Sequence, residues 1–176
     1  MSILKVARIG NPVLRARARP VEPSEIQRPG FQKFVDDMIE TMNEHRGIGL
    51  AAPQIHESVR VIVVDLHQDD DDEDSDIRVV PFVNPKIEVV SRDVIEGWEG
   101  CLSIPEVRGR VPRAAEIRLR AHDRRGKAVE MDFRGYPARV IQHEADHLDG
   151  VLFIDRMRSL DTLTYLDEFA RYWNKD

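Results

Sequence analysis

The segment His143-Glu144-Ala145-Asp146-His147 sets two imidazoles four residues apart with a carboxylate between them. On an α-helix, His143, Glu144 and His147 share one sector about 100° wide, with Val140 inside it. Two imidazoles on successive turns can grip one cation, and the intervening glutamate then stands beside the ion rather than on it. Metal-assisted hydrolysis needs that arrangement, because a Lewis acid acidifies water and a carboxylate takes its proton. Paired surface histidines are the plain alternative. The apolar neighbours Val140, Ile141 and Leu148, and helix punctuation at both ends of the segment, favour metal binding.

The third ligand is open. The chain follows the longer zinc-peptidase pattern H-E-x-x-H-x-x-G-x-x-H through Gly150, but Phe153 stands at the last histidine position. Downstream carboxylates (Asp155, Asp161, Asp167, Glu168) are candidates. Upstream, the chain's single cysteine, Cys101, sits in Glu99-Gly100-Cys101-Leu102-Ser103. One cysteine makes no internal disulfide, and its usual fate is that of a small buried hydrophobe. Beside Gly100, however, a thiolate could approach an ion closely, and the ion would hold it deprotonated. Three protein ligands leave a fourth position for water, the mark of a catalytic rather than a structural site.

A second segment, Gly47-Ile48-Gly49-Leu50-Ala51-Ala52-Pro53-Gln54, lacks the phosphate-loop pattern, and a helix cap followed by a turn would explain its glycines. Its run of small residues could still bring backbone close to a substrate. Gln54 would then offer an amide to a developing oxyanion.

These residues need elements to hold them. Phe31, Phe34, Val35, Met38, Ile39 and Met42 recur at helical spacing before Gly47. Pro137 to Asp149 reads as a helix with Gly150 just past its end. Leu160, Leu163, Leu166, Phe169, Ala170 and Trp173 form a third stripe, with Ser159 or Asp161 as N-cap. Val59 to Asp65, Val79 to Val83 and Ile87 to Val90 read as strands, and Glu116–Ala121 with Lys127–Phe133 as a hairpin. Strands cluster rather than alternate with helices. The expected fold is therefore α+β, mostly antiparallel strands packed around the helix that carries H-E-x-x-H, in a single domain over residues 1–176.

Composition agrees with a globular chain: 41% of residues are hydrophobic and 33% charged. No apolar run could span a bilayer, and the first residues lack the features of a signal or transit peptide, so a cytoplasmic protein, bacterial rather than organellar, is expected. Seven acids lie in Asp69–Asp76, so the rest of a chain of formal charge −6 sums to +1. That tract fails the EF-hand pattern, with Asp74 and Val80 where Gly and Glu are required, and reads as a solvated loop.

Gly47–Gln54, Glu99–Ser103 and Gln142–His147 resemble, in order, the G-x-G-L-A-A-x-Q, E-G-C-L-S and Q-H-E-x-D-H motifs of the peptide deformylase family. The likeness runs from Gly10-Asn11-Pro12-Val13-Leu14 to Gly150-Val151-Leu152-Phe153. It implies removal of the formyl group from the N-terminal formylmethionine of nascent polypeptides, with release of formate. It implies Cys101, His143 and His147 as ligands of one divalent metal ion, Fe(II) natively, with Zn, Ni or Co able to replace it. Glu144 takes the acid–base position, Gln54 and the Leu102 N–H those of the oxyanion donors, and Gly49 a backbone position that meets the substrate. Ile48, Tyr136, Arg139 and Val140 align with the methionine pocket, Arg139 through its stem alone. Gln142 and Asp146 are expected to support the ligands. Partners are formylmethionyl nascent peptides, without membrane or direct nucleic-acid binding. Some relatives dock on the ribosome through a basic C-terminal helix; here Asp161, Asp167 and Glu168 offset Arg171 and Lys175, leaving transient ribosome contact open.

Two rival readings differ in what they require. A zinc endopeptidase built on the same helix would not need Cys101. A non-enzymatic metal-binding module would be indifferent to Glu144.

Overall fold

The computed structural model describes residues 2–66 and 79–174, so the acidic tract Asp69–Asp76 lies outside the described residues. In chain order the elements are α1 (Pro23–Ile26), α2 (Pro29–Glu44), β1 (Gly49–Ala51), β2 (Val61–Asp65), β3 (Val79–Val89), β4 (Val94–Cys101), β5 (Ile104–Ala114), β6 (Glu116–His122), β7 (Ala128–Arg134), α3 (Gly135–Leu148), α4 (Phe153–Arg156), β8 (Thr164–Tyr165) and α5 (Leu166–Tyr172). Strands β1-β2-β3-β6-β7 form one sheet and β4-β5-β8 another, with every named strand pair antiparallel. The fold is α+β, as expected.

Strand β2 shows how the site-bearing helix is held. Successive side chains of a strand point to opposite faces. Ile62 and Val64 pack with Val140, Ile141 and Leu148 of α3, while Val61 and Val63 pack with Met38 and Met42 of α2. The sheet is thus sandwiched between two helices, which is why Val61–Val64 of β2 are apolar without interruption. Leu148 is fully buried at the end of α3, and truncating such a leucine to alanine costs roughly 2–5 kcal/mol. A third cluster, with Leu14, Val111, Leu152 and Phe153, seats the β4–β5 sheet against the chain that follows α3.

Three expectations need correction. The segments Val79–Val83 and Ile87–Val90 belong to one strand, β3, whose register shifts between Val83 and Lys86. Asn84 has φ +52° there, and its side chain accepts from the Val21 N–H and donates to the Val21 carbonyl. The C-terminal stripe is not one helix. A 3₁₀ turn at Leu160–Thr162 leads into β8, which pairs with Val107 and Arg108 of β5, and only Leu166–Tyr172 is helical. Sheet pairing overrides helical periodicity there. Finally, Val94–Cys101 and Ile104–Ala114 are strands, β4 and β5, that the sequence pattern does not announce.

Candidate metal centre

Helix α3 delivers His143, Glu144 and His147, all buried, from one face. Cys101 arrives from the end of β4, at the two-residue Leu102–Ser103 turn into β5. Its Sγ lies 3.3 Å from Nε2 of His147, and donor atoms of Cys101, His143 and His147 all fall within 4.8 Å of one another. Of the third-ligand candidates, the cysteine is therefore the one brought to the histidines. Asp155 instead binds Arg15 and the Leu152 N–H, and Asp161 accepts from the Ser159 hydroxyl.

The donor set passes a test of fit to a cation. Nδ1 of His143 is 2.9 Å from Oε2 of Glu99, leaving Nε2 for an ion. Burial holds His147 well below the usual imidazole range, hence neutral and able to ligate. Burial would lower His143 as well, but the Cys101 sulfur and Glu99 prevail and hold it well above that range, so a cation at its Nε2 would have to displace a proton. Oε2 of Glu144 is buried without a hydrogen-bond partner, as a group awaiting water or substrate would be. Burial pushes the Glu144 carboxyl up to about 7, partly opposed by His143; a divalent cation at its side would draw it down again. A soft thiolate with two imidazoles suits zinc or iron.

Gln54 sits in the turn after β1. Its Oε1 accepts the Ala51 N–H at 2.8 Å, which aims the amide Nε2 at Cys101 Sγ (3.4 Å) and Ser103 Oγ (3.3 Å). Gly49 is packed against Glu144 so closely that a Cβ on it would overlap the carboxylate side chain. Gly49, Ile48, Gln54, Leu102, Tyr136, Arg139, Val140, Cys101, His143 and Glu144 all line one cavity of about 820 Å³. Ile48 and Tyr136 are exposed at its wall, and Val140 is buried.

Arg139 contributes differently from a plain pocket wall. Its guanidinium donates to Glu99 Oε1 (2.7 Å) and to the carbonyls of Val111 (2.9 Å) and Ile95 (2.6 Å). Gly97 makes room for it: a Cβ there would lie 2.9 Å from Arg139 Cζ. Only the stem of Arg139 is left for the cavity.

Sequence reasoning missed the hub of the site. Glu99 binds His143, Arg139 and, through two 3.0 Å bonds, Arg113. Burial would raise its carboxyl, but the bonds from His143 and Arg113 prevail and hold it at about 2. Arg113 also binds Asp146, which binds Arg156, so Asp146 supports His143 at two removes. Gln142 bonds Ala114 in both directions and clamps α3 to β5 rather than touching a ligand. The signal available was a buried-type carboxylate two residues before Cys101; its partners lie 14 to 44 residues away.

A buried carboxylate beside a Cys/His/His cluster in an apolar-walled cavity is the site of a metal-dependent hydrolase. The polypeptide deformylase family model matches residues 3–163. Peptide deformylase 2 of Nostoc sp. is 40% identical over 164 residues, covering 92% of this chain and 90% of that protein. Among solved structures, the Met-Ala-Ser-bound class I type b peptide deformylase of Acinetobacter baumannii superposes with a TM-score of 0.82 at 38% identity, covering 89% of this chain and 99% of that one. The peptide deformylase of Thermotoga maritima gives a TM-score of 0.81 at 38% identity, covering 90% and 100%. The chain belongs to the polypeptide deformylase family.

Proposed function

We propose that this chain hydrolyses the formamide of N-terminal formylmethionine on nascent polypeptides, with Cys101, His143 and His147 holding one divalent cation, Fe(II) in the native state. When bound, the cation supplies Lewis acidity toward the formyl carbonyl and the attacking water. Zn, Ni and Co satisfy the same donor set.

Glu144 takes a proton from water as its oxygen bonds to the formyl carbon. The C–N bond then breaks, and Glu144 returns the proton to the leaving amine, so that formate and a free methionine N-terminus result. A carboxyl poised between the ordinary glutamate value and about 7 is suited to both transfers. The Gln54 amide and the Leu102 N–H donate to the oxyanion as charge develops there. The Gly49 backbone aligns the substrate chain. Ile48, Tyr136, Val140 and the stem of Arg139 enclose the methionine side chain, an unbranched apolar group that suits apolar walls.

The observation that supports this reading most is the convergence of Cys101 with both histidines beside the partnerless Glu144 Oε2. The cytoplasm, where formylated chains are made, is the proposed place of action. No helix of the described residues is long and apolar enough to cross a membrane.

The test is formate release from formyl-Met-Ala-Ser by the metal-loaded protein, prepared anaerobically. Turnover that disappears in Glu144→Gln while metal content stays at one per chain supports the assignment. Absence of formate release with metal bound contradicts it.

A further inference from the structure

The cavity that holds the metal-ligand cluster opens among charged side chains that the reaction above does not use. Its lining includes Lys5, Arg8, His45, Arg46 and Arg108, and among the described residues Glu106 is the exposed carboxylate there. The segment carrying Lys5 and Arg8 is fixed at the cavity edge. Its backbone donates from Leu4 to Thr41 Oγ1 (2.9 Å), from Ala7 to the Gln54 carbonyl (2.6 Å) and from Ile9 to the Ser103 carbonyl (2.8 Å). Arg46 follows the end of α2 with φ +52°. Arg108 lies over the ring of Phe169, 5.8 Å from its centroid.

What sets these cations apart is that they gather on the lining of one cavity. Many surface arginines elsewhere hold a carboxylate (Arg19 with Glu25, Arg118 with Asp132, Arg120 with Glu130, Arg124 with Asp36), whereas Arg28, Arg92 and Arg125 are, among the described residues, exposed cations without an ion pair, scattered away from the cavity lining. Among the described residues, Lys5, Arg8 and Arg46 have neither an ion pair nor a side-chain hydrogen bond. A chain of formal charge −6 thus sets Lys5, Arg8, Arg46 and Arg108 against one exposed carboxylate, Glu106, on the lining of its site.

A nascent chain has one formylated end. With that end at the cluster, the residues after methionine must leave through the opening and pass this rim. Resting on the deformylase reading above, we propose that Lys5, Arg8, Arg46 and Arg108 select formylmethionyl peptides with Asp or Glu in the first few positions after methionine. The rim is solvated, so the attraction acts on encounter and binding rather than on the bond-breaking step, and salt screens it within about 10 Å at 0.1 M.

The experiment compares kcat/KM for formyl-Met-Ala-Asp-Asp-Ser-amide and formyl-Met-Ala-Lys-Lys-Ser-amide, with formyl-Met-Ala-Ser-amide as the neutral reference. Amidation removes the terminal carboxylate that would otherwise confuse the comparison. At low salt the acidic peptide is expected to exceed the basic one by roughly three- to ten-fold, chiefly through KM, and the ratio falls toward one at high salt. In the Lys5→Glu/Arg8→Glu/Arg46→Glu variant the ratio inverts. It is read within each protein, so any general loss of activity cancels. Lys5→Gln/Arg8→Gln, a milder change, lowers the ratio without inverting it. Equal rates for the two charged peptides, a faster basic peptide, or a ratio that survives charge reversal overturns the proposal while the neutral peptide still reports deformylation. Failure of all three peptides with metal bound removes the deformylase reading itself.

Discussion

Oε2 of Glu99 lies 2.9 Å from Nδ1 of His143, and the same carboxylate receives two bonds from Arg113 and one from Arg139. The imidazole is therefore oriented by an anion that two buried guanidinium groups hold in place. Glu99→Gln removes that anion. Metal affinity is expected to fall roughly 10- to 100-fold, read by competitive chelator titration. Stability should fall by roughly 3–5 kcal/mol, because Arg139 loses its buried carboxylate and Arg113 keeps only Asp146; urea denaturation measures it.

Gly49 tests the placement of Glu144. A Cβ on Gly49 would lie 2.8 Å from both Cγ and Cδ of Glu144, so the Gly49→Ala protein must shift the carboxylate. The three atoms nearest that Cβ all belong to Glu144. The expected outcome is one metal ion per chain with kcat reduced on the order of 100-fold. Parallel metal analysis and formate assays check it, and unchanged kcat would count against Glu144 as the acid–base residue.

Arg46 occupies a left-handed conformation after α2, where its N–H donates to the Asn43 carbonyl and Gly47 N–H to that of Met42. Glycine adopts that conformation without a Cβ clash. Arg46→Gly should therefore stabilise the protein by roughly 0.5–1 kcal/mol in chemical denaturation, while lowering the acidic-to-basic peptide ratio.

Acid should loosen the chain that follows α3. Burial would raise the Asp155 carboxyl, but bonds from Arg15 and the Leu152 N–H outweigh it and hold it below the ordinary aspartate range. A carboxyl lowered in the folded state stabilises above the unfolded pKa, near 3.9, and that contribution is lost as pH falls through the folded value. Asp155→Asn should thus melt earlier than the parent at pH 7, with the gap closing as pH falls below about 4. A gap that is constant with pH would contradict this role.

The parts of the fold legible in the sequence are those fixed by local pattern. The H-E-x-x-H helix, α2 and the β6–β7 hairpin follow from periodicity and turn residues close in sequence. Strands β4 and β5 escaped because Gly97, Gly100, Pro105, Gly109 and Pro112 interrupt them and no clean alternation survives. Those interruptions have tertiary causes: Gly97 yields to Arg139, and at Gly109 a Cβ would overlap Met157. Leu163 and Leu166 kept helical spacing although β8 pairs with β5 between them, since edge pairing leaves no periodic trace over two residues.

The candidate site divides in the same way. Cys101, His143, Glu144 and His147 were legible because their residue types are chemically rare in combination. Glu99 was not assigned a role, because a carboxylate shows its use only once Arg113, Arg139 and His143 are brought around it. The unpaired rim of Lys5, Arg8 and Arg46 was equally hidden, being drawn from two separate stretches of chain.

X-ray absorption at the metal edge of the zinc-loaded protein, with Cys101→Ala as comparison, probes the convergence of one sulfur and two imidazoles most directly. One sulfur scatterer at about 2.3 Å and two imidazole nitrogens at about 2.0 Å are expected, with the sulfur shell lost and affinity sharply reduced in the variant. A parent spectrum without sulfur, or a variant that binds zinc as tightly as the parent, would contradict the assigned centre.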